Sequence, residues 1–141
     1  MDMNYYQTLI AVADDCPVRQ SVVPIQRGDN LTIAVLQYGM IAGNPYTYTQ
    51  EDVLFQTWLQ RQDMPKDPSE AELAHLREGF FAKPQACLRS SPLPKQYGWG
   101  LLFDPKGRVA LCPMESTEYK NILSRKSGRV KILKAMRSKR V

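Results

Sequence analysis

The densest group of chemically capable side chains in this 141-residue chain lies between Arg89 and Gly100. Arg89 and Lys95 supply cations, Ser90 and Ser91 hydroxyls, and Tyr97 and Trp99 aromatic rings, around a turn stiffened by Pro92 and Pro94. A guanidinium fork and a hydroxyl suit phosphate or carboxylate, and an aromatic ring can stack on a planar group. Arg89, Ser91, Lys95 and Tyr97 are therefore the candidate ligand set for an anionic small molecule. The strand period gives the rings a competing role. Tyr97, Trp99, Leu101 and Phe103 alternate onto one face as core residues, while Gly98 and Gly100 leave the other face open to close approach.

A second group is defined by charge. Residues 120–141 hold nine of the 19 basic residues and no acid, so the body before them carries a net charge of −4. Within that ending Lys131, Lys134, Arg137, Lys139 and Arg140 fall inside ten positions. They form a candidate polyanion contact for nucleic acid, driven by phosphate neutralisation and counterion release. The same cations can instead pack against the acidic body.

Acid–base chemistry would have to come from Asp14, Asp15 or Glu115, with Tyr97 or Tyr119. The ordinary reading of these acids is turn and helix-start duty. No catalytic residue is assigned. A nucleophilic triad would need His75, the only histidine, which falls off the apolar face of its helix. No GxSxG elbow, GxxxxGK[ST] or GxGxxG occurs. Cys16, Cys87 and Cys112 lie far apart with no CxxC pair, and His75 is flanked by Ala74 and Leu76 rather than by cysteines, so no metal or cofactor is expected. Three cysteines suit a reducing compartment. With no apolar run long enough to span a bilayer and an acidic start where a signal would be basic, a cytoplasmic protein away from membranes is expected.

The elements that must position these groups follow from pattern. Tyr5 to Val12 reads as a strand, and Asp14 to Gly28 as a loop with a short extended piece at Val22-Val23. Asp29 or Asn30 caps a helix with Ile33, Leu36, Met40 and Ile41 inward. Thr49 to Asp52 and Ser69 to Glu72 are capping boxes opening two more helices, the second with Leu73, Leu76, Phe80 and Phe81 inward. Gln85 to Ser91 reads as a short strand. Tyr97 to Phe103 and Arg108 to Cys112, joined by Asp104-Pro105-Lys106-Gly107, form a hairpin. A helix from Ser116 turns Tyr119, Ile122 and Leu123 inward, and Val130 to Met136 is strand or helix by period. Helices grouped between strands predict one compact α+β domain over residues 1–141, an antiparallel sheet with helices mainly on one face.

Five stretches carry a resemblance: Ala13-Asp14-Asp15-Cys16-Pro17, Thr32-Ile33-Ala34, Asn44-Pro45-Tyr46 leading into Glu51-Asp52-Val53-Leu54-Phe55, Arg89 to Gly100, and Lys134-Ala135-Met136-Arg137-Ser138-Lys139-Arg140. Along nearly its whole length the chain resembles a family of small uncharacterised bacterial and fungal proteins, a domain of unknown function. The resemblance implies a single domain to which the basic ending belongs, and it brings no activity, cofactor or site residue. The leading expectation is a non-enzymatic binding module for an anionic small ligand or a protein partner. The alternatives are nucleic-acid binding through the basic ending and a small acid–base enzyme. A homodimer is a further possibility.

Overall fold

The computed structural model describes residues 2–63, 67–125 and 128–139. Four strands, β1 (Thr8–Ala11), β2 (Trp99–Phe103), β3 (Val109–Pro113) and β4 (Lys131–Lys134), form one sheet in the order β3-β2-β1-β4. The helices are α1 (Ile33–Ala42), α2 (Gln50–Gln60), α3 (Glu70–Ala82), α4 (Pro92–Gln96) and α5 (Thr117–Leu123), with a 3-10 turn at Leu88–Ser90. The fold is α+β, as the pattern predicts. One pairing departs from it: β4 lies parallel to β1, so the sheet is mixed.

The hairpin forms where expected. Asp104 accepts from the amides of Lys106 and Arg108, and Gly107 takes φ +84° to close the turn. Both capping boxes are present, at Thr49 with Asp52 and at Ser69 with Glu72. The first helix differs, since Thr32 rather than Asp29 or Asn30 caps α1 by accepting from the Val35 amide. Ile33, the first residue of α1, is exposed, while Ala34, Leu36 and Ile41 are buried.

Two apolar layers hold the sheet. On one face Ile10, Leu101, Phe103 and Val109 pack with Ile41, Val53, Leu88 and Leu93 from the α1, α2 and α4 side. On the other, Leu9, Ala11, Leu102 and Cys112 pack with Tyr119 and Ile122 of α5. Gly100 admits this helix, because a Cβ there would meet the Tyr119 ring at 2.9 Å. Leu123 stays exposed, one position beyond the inward stripe. The third helix is peripheral and docks through Phe80, which meets Phe55 and Trp58, and through Arg77, 3.2 Å from Asp52.

The expected strand at Gln85 to Ser91 is a 3-10 turn instead. The Leu88 amide is given to the Gln50 side chain, and the Ser90 and Ser91 amides turn back on Cys87 and Leu88, so no ladder can form. The proline turn that follows is a helix. Ser91 caps it and Pro92 sits at its start, where a missing amide costs nothing. Tyr97 ends α4 and precedes β2 rather than joining its inward row.

Candidate functional site

Beyond β4 the chain crosses the end of β1 as a strap. The Ala135 amide donates to Ala11 and the Met136 amide to Arg89, each at 2.8 Å. The Asp14 carboxylate holds the Lys134 ammonium and lies 3.6 Å from the Arg137 guanidinium. Asp15 Oδ2 accepts from the amides of Ser138 and Lys139, each at 2.9 Å. The acidic pair is thus the dock for the basic ending. Of the cations assigned to polyanion binding, Lys134 and Arg137 are ion-paired, whereas Lys131 and Lys139 have no carboxylate partner among the described residues. Arg140 lies outside the described residues.

Hydrogen bonding from Lys134 holds the Asp14 carboxyl below its ordinary range. A depressed pKa marks stability that is complete above the unfolded value and lost as pH falls through the folded one. Strap attachment is therefore expected to be full at neutral pH and to loosen in acid. Asp15→Ala removes the acceptor shared by two amides, and amide exchange at residues 135–139 should then quicken by roughly tenfold or more with little change in the melting midpoint. Unchanged exchange by mass spectrometry would rule out the tie.

The residues proposed for ligand binding separate. Arg89 Nε donates to the Lys134 carbonyl at 2.7 Å, which bonds it to β4. Ser91 is 5% exposed, donates to Gln37 at 2.6 Å and caps α4, so its hydroxyl is spent inside. Lys95 is half-buried on the last turn of α4. Tyr97 borders two clefts. One, of about 510 Å³, is lined by Asp15, Pro17, Gln96, Tyr97, Ser138 and Lys139. The other, of about 340 Å³, lies between Tyr97 and the loop at Val22 to Thr32.

The acid–base residues do not converge. Glu115 accepts from the Ser21 amide and hydroxyl at 2.8 and 2.7 Å, and these bonds pull its pKa down. Tyr119 is buried, accepts from the Val12 amide at 2.9 Å, and has its pKa raised chiefly by burial. Burial also pushes the Cys112 thiol up to about 11, which leaves it protonated and unreactive at neutral pH. Asp15 shares a cleft with Tyr97.

A third cleft, of about 460 Å³, runs between α2 and α3 over Trp58 and Phe80, with His75 and Lys83 at its edge. Sequence pattern places Trp58 and Phe80 only as core residues, and no local signal marks Lys83. The meeting of Tyr97 with Ser138 and Lys139 has no sequence signal either, because it depends on the parallel pairing of β4 with β1.

Among the described residues no helix is long and apolar enough to cross a membrane. A family model described as a family of unknown function (DUF6157) matches residues 1–141. No curated protein matches, and no solved structure matches.

Proposed function

The chain belongs to this family of unknown function, and from that premise we propose that it is a cytoplasmic, non-enzymatic binding module for a small anionic ligand held between Tyr97 and the strap. One observation carries the reading: Lys139, without a carboxylate partner among the described residues, shares a cleft with Tyr97, Gln96 and Ser138. These side chains offer an ammonium, two hydroxyls and an amide, all able to donate to a phosphate or carboxylate. Asp15 lines the same cleft; its Oδ2 accepts from two amides, while its Oδ1 is buried with no partner among the described residues. Around it Lys134, Arg137 and Lys139 outnumber Asp14 and Asp15 by one charge.

Nucleic acid is a poorer fit, since a phosphate chain must first take Lys134 and Arg137 from Asp14. The acid–base reading fits less well, because Glu115 and Tyr119 are committed to Ser21 and Val12, which leaves Asp15 beside Tyr97 without the second carboxylate it needs.

The test is thermal denaturation at low ionic strength, where screening is weakest, with inorganic phosphate, sugar phosphates, nucleotides and a short oligonucleotide. A ligand present at about one hundred times its Kd adds roughly 2.7 kcal/mol, a rise on the order of 10 °C for a chain of this size. The rise is expected with a small anion and should vanish in Lys139→Ala. Should no anion move the midpoint, the reading fails.

A further inference from the structure

Five of the nine large apolar side chains exposed among the described residues, Val22, Val23, Ile25, Leu31 and Ile33, fall within twelve positions. Ile25 is the extreme, at 77% exposed. Scattered exposed apolar residues are ordinary, but a cluster this dense marks a contact surface.

The base of the loop is firmly held. Ser21 is bonded twice to Glu115, the Val22 amide donates to Tyr97 at 2.9 Å, and the Val22 carbonyl accepts from the Trp99 indole at 2.8 Å. Pro24 is buried. At the tip Gly28 has φ +61°, the Asn30 amide reaches the Arg27 carbonyl at 3.4 Å, and the chain reverses. A turn so presented exposes Ile25 at the mouth of a cleft whose apolar wall is Val22, Val23 and Tyr97 and whose other side carries Arg27, Asn30 and Thr32.

We propose that this loop, residues 22–33, is an isologous dimer surface occupied by a second copy of the chain. The choice of occupant comes from charge. Arg27 and Asp29 flank Gly28, and neither is ion-paired among the described residues. A two-fold axis through the turn sets Arg27 of each copy against Asp29 of the other. A self-complementary patch is what such symmetry requires. Ile25 of one copy then enters the cleft beside Val22, Val23 and Tyr97 of the other, and the apolar cluster leaves water. A foreign partner would have to bring an acid and a base at the same spacing, which a second copy supplies by symmetry.

The experiment is sedimentation equilibrium on the full chain and four variants, with circular dichroism to check that each is folded. The wild type is expected to be a dimer and Ile25→Asp a monomer. Arg27→Asp and Asp29→Arg should each weaken the dimer by about tenfold or more, since each sets like charges together twice, and the combined exchange should restore it to within about threefold. A monomeric wild type at roughly 100 μM, a dimeric Ile25→Asp, or a combined exchange that stays weak overturns the proposal. Tyr97 borders both clefts, but Ile25 lines only this one and Lys139 only the other, so Ile25→Asp and Lys139→Ala tell the two outcomes apart.

Discussion

Phe103→Ala is expected to cost about 3–5 kcal/mol of folding free energy, the range for emptying a large aromatic site in a packed core. Phe103 is 1% exposed on the central strand β2, pairs with Thr8 on β1 and Val109 on β3, and meets the Tyr5 ring edge-on at 5.7 Å. Strands on both sides limit how far the hole can collapse, so the cavity cost adds to the lost burial. For a domain of this size the melting midpoint should fall by roughly 10–20 °C. Urea titration of the two chains checks it, and a loss under about 1 kcal/mol would mean the layer under α1, α2 and α4 is not packed as described.

Gly98→Ala should have the next largest effect, about 2–4 kcal/mol, by combining backbone strain with overpacking. Gly98 has φ +76°, and a Cβ there would stand 2.9 Å from both the Gln20 carbonyl oxygen and the Met114 sulfur. The methionine can turn away, but Gln20 is backbone whose next residue is fixed by Glu115. The substitution therefore pushes the whole 20–22 segment off Tyr97 and Trp99. Gly79→Ala is the control, since nothing lies within 4 Å of its Cβ position on α3 and helix propensity alone predicts a gain of about 0.5–1 kcal/mol. If both substitutions cost the same by urea titration, the close approach at Gly98 is not real.

Much of the fold was legible because it is local. Asp104, Pro105 and Gly107 specify one turn, and Thr49 and Ser69 each announce a helix through their own third neighbour. What stayed hidden depends on partners far along the chain. The Leu88 amide finds Gln50, not a strand, so the apparent strand before Pro92 becomes a 3-10 turn. Prolines at 92 and 94 read as a break, yet both fall in the first turn of α4, where no amide is needed.

The candidate site was legible in its members but not in its grouping. The sequence marks Tyr97 and Lys139 for different reasons, one for its ring and one for its charge, and the parallel docking of β4 on β1 brings them to one cleft. The same docking gives Asp14 and Asp15 their task. The Ser91 hydroxyl suits an anion by type, but the fold uses it to cap α4 and bind Gln37. Nor does composition reveal that Val22, Val23, Ile25 and Leu31 remain outside the core, since apolar residues in a loop say nothing of what covers them.

The central claim is that a small anion binds between Tyr97 and the strap, and amide NMR during a titration with inorganic phosphate at low salt tests it most directly. Shifts are predicted to concentrate at Asp15, Gln96, Tyr97, Ser138 and Lys139, the residues lining that cleft, and to disappear in Lys139→Ala. Shifts confined to the His75 and Lys83 edge of the α2–α3 cleft, or no shifts at all, would contradict it.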